Sequence, residues 1–311
     1  MTLSPNLGIA GLKGALRYVR AYRDRTFVVK LGGDVLADAK MLDQAGAQLA
    51  LLWSLGIRIV VVHGGGPQAT ALSRRMGIEP LIVAGRRVTD EAQLEIAKMV
   101  YAGQLNTDLL AALRRHHVPG VGISGVDGEL ITATRRSPVR LRDDEGLERE
   151  VDFGLVGDIQ AVDPRVLVTL LDSRFVPVVA SLAGDTDGGI FNVNADTVAE
   201  SLAVALGAMK LIFLTGAPGV LRNRNDPSSL VTFADAEEMS ALMESGALAG
   251  GMRPKAEACI RAAGRGVERT HIIDGRAADS LLLEVFTGAG SGTMIVARKE
   301  KAAYADAETA D

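Results

Sequence analysis

Residues 26–33 read TFVVKLGG, a short apolar run of largely β-branched side chains that ends in two glycines. The run IRIVVVHGGG at residues 57–66 repeats this design. Four further segments follow it, each with Gly, Asp or Ser at its end: GVGISGVDG, FVPVVASLAG, KLIFLTGAPGV and RTHIIDGR. Helical patterns follow most of them. Continuous apolar strands that alternate with helices predict an α/β fold with a central, mainly parallel sheet that helices cover on both faces.

Ligands of such sheets bind beyond the carboxyl ends of the strands, so the polar strand tips are the first place to look for chemistry. The strand and helix pattern restarts near residue 183 with a new glycine-rich tip, which predicts a domain boundary there. The charged segment 136–159 predicts a hairpin-like excursion from the sheet edge. Residues 299–311 are predicted to form a flexible, solvated tail.

The chain has 311 residues, 48% of them hydrophobic, which is enough for one large domain or two closely packed ones. A formal net charge of −4 argues against nucleic acid as a partner. The single cysteine, Cys259, excludes an intramolecular disulfide and a cysteine-based zinc cluster, and a buried packing role is expected for it. The N-terminus lacks the order of a signal peptide, and no apolar run is long enough to span a membrane. We therefore expect a soluble, cytoplasmic protein.

The first 24 residues contain apolar side chains at spacings of three or four, which predicts an amphipathic helix. These side chains are Ile9, Leu12, Leu16, Val19 and Tyr22. The spacing is compatible with a helix that docks on its own domain and with an arm that docks on another subunit.

Two strand tips carry glycine pairs or triplets. VVHGGGPQ places Gly65 and Gly66 after one strand, and VVKLGGD places Gly32 and Gly33 after another, close to Lys30. Glycines at a strand end let backbone N–H groups approach an anion, and a following helix adds its dipole. A tight turn is the simpler interpretation of one such loop. The P-loop pattern is absent, so bound phosphates would need another architecture.

The segment GGIFNVNADTVAESLAVALGA at residues 188–208 places three polar side chains before an alanine-rich helix. Asn192, Asn194 and Asp196 occupy alternate positions, which lie on one side of an extended chain. One of them would suffice to cap the helix. Capping and ligand binding are both compatible with this local pattern.

Charged residues complete the candidate site. Lys255 lies at the start of a helix, where a cation opposes the helix dipole and therefore suggests a function. Arg87 follows a glycine in a loop and suits a carboxylate, whereas one of Arg86 and Arg87 is expected to be merely solvated. His63 is expected to be packed and hydrogen-bonded. Two lysines, two glycine loops, an aspartate and an arginine favour phosphoryl transfer, which depends on positioning and positive charge.

Six motifs then occur in a fixed order between residues 27 and 296: KLGG, VVHGGGPQ, GRRVTD, FNVNAD, GGMRPK and HIIDGR…GSGTMI. By these motifs the chain resembles the amino acid kinase family, whose fold is a three-layer α/β/α sandwich. GRRVTD together with FNVNAD resembles the branch that phosphorylates the side-chain carboxylate of N-acetyl-L-glutamate in arginine biosynthesis. The resemblance implies ATP as the phosphoryl donor and N-acetyl-glutamyl 5-phosphate as the product. It also implies that Mg²⁺ arrives with ATP and has few or no direct protein ligands.

The resemblance assigns residues 25–183 to a lobe that binds the acylated amino acid and residues 184–298 to an ATP-binding lobe. It implies that Lys30 and Lys255 hold the transferring phosphoryl group while Asp196 orients both lysines. The remaining implied contacts are Gly32 and Gly33 to phosphate, and Gly65, Gly66, Arg87, Asn192 and Asn194 to the acylated amino acid. Arg87 and Asn192 would bind its α-carboxylate and acetamido end.

Regulation is implied as well. Residues 1–24 resemble the arm with which arginine-inhibited members interlace dimers, so we expect a homohexamer built as a trimer of dimers. Residues 271–295 resemble the arginine site of those members, which implies feedback inhibition by L-arginine near Glu284 and Gly292. Some relatives bind a trimeric signalling protein of the PII type, so such a protein is a candidate partner.

The chain departs from the family pattern at four positions. Leu31 and Asp34 replace Tyr and Asn of many members, Gly216 removes a carboxylate on the nucleotide side, and Asp279 replaces a His of many arginine-sensitive members. Two alternatives follow: a kinase for another N-blocked acidic substrate of the aminoadipate type, and a non-catalytic arginine-sensing homologue. The full FNVNAD motif argues against the first. Both lysines and Asp196 argue against the second.

Overall fold

The computed structural model describes residues 16–83, 85–142, 148–248, 250–287 and 290–297. Its largest element is an eight-stranded sheet. In chain order the strands are β1 (Thr26–Leu31), β2 (Arg58–His63), β5 (Gly120–Ser124), β10 (Val176–Ala180), β13 (Lys210–Thr215), β14 (Phe233–Asp235), β15 (Arg269–Asp274) and β16 (Thr293–Val296). Their spatial order is β14-β16-β15-β13-β1-β2-β10-β5.

The six strands from β15 to β5 pair in parallel, whereas β16 is antiparallel to β15. β1 lies at the centre, between β2 and β13. These are the six apolar runs identified in the sequence. A parallel sheet buries both of its faces, which explains why the runs are continuously apolar.

A smaller sheet of four strands lies in the order β12-β11-β6-β9. Its strands are β6 (Ile131–Arg135), β9 (Gly157–Val162), β11 (Leu182–Gly184) and β12 (Ile190–Asn192). Two antiparallel hairpins complete the strands: β3 (Ile82–Val83) with β4 (Arg86–Arg87), and β7 (Val139–Arg142) with β8 (Glu148–Val151). The second hairpin confirms the excursion predicted for the charged segment 136–159.

Helices connect the strands. Helix α1 is described over 16–22. The others are α2 (Gly33–Ala37), α3 (Ala39–Ser54), α4 (Gly66–Arg75), α5 (Glu91–Ala97), α6 (Asn106–Arg115), α7 (Arg165–Asp172), α8 (Ala195–Ala205), α9 (Ala236–Glu244), α10 (Met252–Gly264) and α11 (Ser280–Phe286). A π-helical segment, Lys98–Leu105, joins α5 to α6, and short 3₁₀ turns lie at Asp127–Glu129 and Pro227–Ser229.

Two hydrophobic cores lie on opposite faces of the central sheet. Successive residues of a strand point to opposite faces, so Phe27 and Val29 of β1 enter one core while Val28 enters the other. Both cores are lined by helices, which makes the molecule a three-layer α/β/α sandwich and confirms the predicted fold class. Cys259 is fully buried in the second core.

Several sequence predictions are answered by the fold, and others are not. Among the described residues no helix is long and apolar enough to cross a membrane. The predicted lobe boundary at residue 183 falls within β11, and the division into lobes stays a prediction. Most of the predicted arm, residues 1–15, and the predicted tail at 299–311 lie outside the described residues.

Candidate active site

Three predicted charged residues meet at the carboxyl end of the central strands. Lys30 lies in β1, Asp196 is the second residue of α8, and Lys255 lies in the first turn of α10. The Nζ atom of Lys30 forms an ion pair with Asp196 Oδ1 at 2.8 Å. Lys255 Nζ donates a hydrogen bond to Asp196 Oδ2 at 3.1 Å, and another to the Gly251 carbonyl at 3.2 Å. One carboxylate therefore bridges two ammonium groups.

Burial and charge act in opposite directions on this cluster. Burial alone would raise the pKa of Asp196, but the positive charges of Lys30 and Lys255 outweigh it and hold that pKa below its ordinary value. Burial also lowers the pKa of Lys30, although the Asp196 carboxylate opposes this effect. The aspartate is thus held ionised between its two partners.

The two glycine loops touch each other. A Cβ atom on Gly33 would lie 3.0 Å from Cδ of Pro67, and the Gln68 amide donates to the Gly33 carbonyl at 3.0 Å. Gly32 differs from its neighbour, because its N–H already donates to the Leu214 carbonyl at 2.8 Å. The Gly32 N–H is therefore already paired within the turn.

The second loop leads directly into α4. Gly65 precedes this helix, and a Cβ atom there would lie 2.4 Å from Leu105 Cδ1 and 2.8 Å from Tyr101 Cδ1. No side chain fits at this position. A Cβ on Gly66 would meet nothing within 4 Å, so the first residue of α4 faces open space. An open helix N-terminus suits an anion.

Arg87 lies against the same loop. Its guanidinium donates to the Gly66 carbonyl at 3.0 Å, to Gln93 Oε1 at 2.8 Å and to the Thr70 hydroxyl. Arg86 is exposed, as one of the two arginines was expected to be. Gln93 in turn donates to Ser73 at 2.7 Å, so Arg87 is held by a side chain that is itself fixed.

The three polar residues of FNVNAD separate into three environments. Asn192 ends β12 and donates to the Thr89 hydroxyl at 3.2 Å. Asn194 is the N-cap of α8, and its Oδ1 accepts the backbone N–H groups of Asp196 and Thr197. Asp196 faces the lysines. Capping therefore explains one of the three side chains, and its effect is to fix the helix turn that carries Asp196.

His63 is packed and hydrogen-bonded, as expected. It is fully buried, its Nδ1 lies 2.9 Å from the Gly64 carbonyl, and its Nε2 lies 3.2 Å from Asn106 Nδ2. Burial lowers the pKa of His63 to about 4, so the ring is neutral near pH 7. In the neutral ring Nδ1 donates to the carbonyl and Nε2 accepts from the amide.

A cavity of about 410 Å³ lies beside Lys255. Its lining comprises Asp34, Thr215, Gly216, Ala217, Pro218, Gly219, Leu221, Arg224, Ala247, Leu248, Gly251, Met252 and Lys255. Two departures from the family pattern meet here: a Cβ on Gly216 would lie 2.6 Å from the carboxylate oxygen Oδ2 of Asp34. The Asp34 carboxylate therefore occupies the space beside Gly216.

Lys210, His271 and Glu284 form a second charged cluster. Glu284 accepts from His271 Nδ1 at 2.7 Å and from the Ser291 backbone, and His271 Nε2 lies 3.2 Å from Lys210 Nζ. All but Ser291 are nearly inaccessible to solvent. Gly292 packs against β15, because a Cβ there would lie 2.3 Å from the Ile272 carbonyl oxygen.

Comparisons with known proteins show the family to which this chain belongs. Residues 25–274 match the family model described as "Amino acid kinase family". The chain belongs to the amino acid kinase family. Two relatives of this amino acid kinase are each named "Acetylglutamate kinase". The one from Myxococcus xanthus is 50% identical over 297 residues, 95% of this chain and 96% of its own. The one from Methanothermobacter thermautotrophicus is 43% identical over 282 residues, which cover 90% of this chain and 96% of its own.

Solved structures of other proteins have a similar fold. N-acetylglutamate synthase from Neisseria gonorrhoeae, complexed with coenzyme A and N-acetyl-glutamate, is similar with a TM-score of 0.78 and 31% identity. The match covers 93% of this amino acid kinase but 63% of the synthase, so the chain spans less than two thirds of that protein. Carbamate kinase from Giardia lamblia bound to AMP-PNP is 16% identical with a TM-score of 0.62 over 88% of this chain and 99% of its own, which shows the shared fold.

Sequence reasoning did not single out several side chains that contact the predicted site. Tyr101, Leu105 and Asn106 lie behind the second glycine loop, and Gln93 holds Arg87. All four are on the helical stretch 91–115, where their spacing is typical of an ordinary helix. Their proximity to the loop arises from the packing of that helix and has no signal in the sequence.

Proposed function

We propose that this chain transfers the γ-phosphoryl group of ATP to the side-chain carboxylate of N-acetyl-L-glutamate. The product would be N-acetyl-glutamyl 5-phosphate, an intermediate of arginine biosynthesis. The observation that carries the proposal is the buried Asp196 between Lys30 and Lys255, next to a cavity in the size range of small-molecule sites. The two relatives named acetylglutamate kinase support the choice of substrate.

The two lysines supply the positive charge that the reaction needs. In phosphoryl transfer the attacking carboxylate, the transferring group and the leaving phosphate all carry negative charge. Lys30 would neutralise the group on the acceptor side, and Lys255, at the cavity, would do so on the nucleotide side. Asp196 holds both ammonium groups in place before substrates arrive, so little reorganisation is needed during the reaction.

The acylated amino acid would lie against the second glycine loop. Gly65 and Gly66 would offer backbone N–H groups at the open start of α4, and Gly33 would do so from the first loop. Arg87 would bind the α-carboxylate, with Asn192 on the acetamido end. Asn194 contributes through its cap, because the turn it fixes carries Asp196.

The cavity would hold ATP, and its residues fit the Mg²⁺ that accompanies the nucleotide. Mg²⁺ is usually bound by one or two carboxylates together with waters and substrate phosphates. Asp34 is the carboxylate in the described cavity lining.

Hydroxylamine trapping tests the proposed reaction. Protein, ATP, Mg²⁺ and N-acetyl-L-glutamate are incubated with hydroxylamine, which converts an acyl phosphate to a hydroxamate that forms a coloured complex with iron(III). We expect hydroxamate that depends on all substrates and is lost when Lys30 is replaced by Ala. No hydroxamate with N-acetyl-L-glutamate, but product with the aminoadipate analogue, would contradict the substrate assignment.

Inhibition by L-arginine is a second part of the proposal. Glu284 is a buried carboxylate, and a guanidinium is a good partner for such a group. The N. gonorrhoeae synthase complexed with coenzyme A and L-arginine is 29% identical with a TM-score of 0.76, which supports this idea. Hydroxamate formation should fall when arginine is added. Activity indifferent to arginine would contradict control by arginine and point to Asp279 as its cause.

The assembly and cellular context are proposed on the resemblance alone. We propose a homohexamer, a trimer of dimers, joined through residues 1–24, in the cytoplasm. A PII-type signalling protein is the candidate protein partner. Co-elution of a purified PII-type protein with this chain on a sizing column would test that partner, and separate elution would contradict it.

A further inference from the structure

His63, the last residue of β2, is buried beside the second glycine loop, and the proposed reaction gives it no role. Its Nδ1 lies 2.9 Å from the carbonyl oxygen of the next residue, Gly64. Because a carbonyl oxygen only accepts hydrogen bonds, this contact requires the ring proton to be on Nδ1. The imidazole therefore holds the carbonyl of the peptide unit that joins Gly64 to Gly65.

Asn106 determines which ring nitrogen carries that proton. Its Nδ2 donates to the Val178 carbonyl oxygen at 3.0 Å, which identifies this atom as the amide nitrogen. The same atom lies 3.2 Å from His63 Nε2. Because an amide nitrogen only donates, Nε2 has to accept, and the neutral ring keeps its proton on Nδ1. Gly122 leaves the space for this arrangement, since a Cβ atom there would overlap Asn106 Oδ1.

The fixed carbonyl sets the direction of the Gly65 N–H group. In a trans peptide unit the C=O and N–H bonds point in opposite directions, and the described chain has no cis peptide bond. The Gly65 N–H therefore points away from His63. It has no hydrogen-bond partner among the described residues, as is usual at the start of a helix, here α4. It is thus an unpaired donor with a fixed direction.

The loop that carries this donor packs against the start of α8. A Cβ atom on Gly64 would lie 3.2 Å from Cβ of Ala195, the residue before Asp196. The donor is therefore held close to the charged cluster in which the proposed reaction takes place. Donors that are held in advance where negative charge develops lower the barrier of a reaction, because they need no reorganisation.

We propose that His63 and Asn106 are positioning residues, which hold the Gly65 N–H towards the reacting carboxylate of the acceptor. The inference rests on the proposed function and gives a role to a histidine that the reaction otherwise does not use. The hydrogen bond from Gly65 would offset part of the negative charge that the carboxylate and the transferring phosphoryl group bring together.

Two substitutions of His63 separate this role from packing alone. In His63→Asn the amide nitrogen takes the place of Nδ1 and can still donate to the Gly64 carbonyl. In His63→Gln the amide takes the place of Nε2, next to Asn106, and the donor to Gly64 is lost. Both variants lose the imidazole, so we expect similar falls in their thermal midpoints.

The hydroxamate assay should distinguish the two variants. We expect kcat to fall about 10²-fold in His63→Gln, as for other lost donors of this kind, and less than about 5-fold in His63→Asn. The KM for ATP should stay at the wild-type value in both, because the nucleotide cavity is unchanged. Asn106→Leu leaves the ring proton free to move to Nε2, so kcat should fall about 10-fold with His63 intact.

Crystal structures of the two His63 variants test the positioning role without an activity measurement. The Gly64 carbonyl should keep its direction in His63→Asn and turn in His63→Gln. An unchanged Gly64–Gly65 peptide unit in His63→Gln, equal falls of kcat in the two variants, or a wild-type kcat in Asn106→Leu would overturn the inference. Wild type that forms no hydroxamate from any acceptor would instead refute the proposed function, and the two structures would still decide the direction of the peptide unit.

Discussion

Asp196 is one carboxylate between two ammonium groups, so the cluster carries one excess positive charge. Burying such a charge is unfavourable until an anion compensates it. The cluster therefore favours a nearby anion, such as the phosphoryl group of the proposed reaction. If Asp196 were absent, Lys30 and Lys255 would repel each other. This repulsion is visible in the pKa of Lys30, which burial lowers and the charge of Lys255 lowers further.

Loss of one lysine should affect turnover far more than stability. We expect Lys255→Ala to lower kcat by about 10²–10³-fold, because one preorganised charge at the transition state is lost. Arg253→Ala on the same helix is the control, since Arg253 is paired with Glu257 on the surface. Hydroxamate assays and thermal unfolding measure both variants. A Lys255→Ala variant with near wild-type kcat would remove Lys255 from the mechanism.

Glu284 should make the fold sensitive to acid. Burial would raise the pKa of Glu284, but His271 and the Ser291 backbone lower it to about 2 from an ordinary 4.5. A depressed carboxylate stabilises the fold above pH 4.5, and this stabilisation is lost as pH falls towards 2. Urea unfolding of wild type and Glu284→Gln from neutral to acidic pH tests this. We expect Glu284→Gln to cost about 2 kcal/mol near neutral pH and less in acid. A difference in unfolding free energy between the two proteins that does not change with pH would contradict the low pKa of Glu284.

At the scale of elements, the site depends on how α8 and α10 begin. Asn194 caps α8 and so fixes the turn that presents Asp196, whereas α10 begins at Met252 without a side-chain cap. The start of α8 is determined by local sequence chemistry. The start of α10 is held by the contact of Lys255 with Asp196 and with the Gly251 carbonyl. The two helices therefore depend on each other for their relative placement.

Removal of the α8 cap should impair both stability and activity. We expect Asn194→Ala to lower the free energy of unfolding by about 1 kcal/mol, as for other N-caps, and to lower kcat because Asp196 loses its fixed position. Asp235 caps α9, a helix that carries none of the proposed site residues. Asp235→Ala should cost similar stability and leave kcat unchanged. Urea unfolding gives the stability of both variants, and the hydroxamate assay gives their kcat. Equal kcat in the two variants would show that the cap has no link to catalysis.

The limits of sequence analysis also appear at this scale. The six apolar runs and the hairpin within residues 136–159 are local patterns, and each predicted the right element. The π-helix at Lys98–Leu105 has no such pattern in the sequence. The approach of Asp34 to Gly216 and the contact of His271 with Lys210 join distant segments, which a single sequence does not reveal.

At the scale of the whole molecule, α1 belongs partly to the chain's own core. Tyr22 is 2% exposed and packs edge-on against Phe27, with ring centroids 5.4 Å apart. Tyr18 packs against Phe286 at 6.4 Å. The predicted arm therefore has a docked part, described over 16–22, which ties the N-terminus to α11.

Truncation before the docked part should separate assembly from folding. Deletion of residues 1–15 keeps Tyr18 and Tyr22, so we expect an unchanged thermal midpoint and a fall in mass from hexamer to dimer. Light scattering after size exclusion gives the mass, and deletion of residues 299–311 is the control, with no change expected. An unchanged mass after the first deletion would contradict the role of the arm.

The central position of β1 has a consequence for how the molecule is made. This strand is translated before one of its two neighbours, β13, which comes much later in the chain. At ~5–20 residues per second, the ribosome needs some tens of seconds to deliver β13, α8 and α10 after β1 has emerged. Until then, β1 lacks its neighbour β13, and Lys30 lacks the segments that carry Asp196 and Lys255. The nascent chain therefore lacks the cluster of Lys30, Asp196 and Lys255 until α10 has been translated.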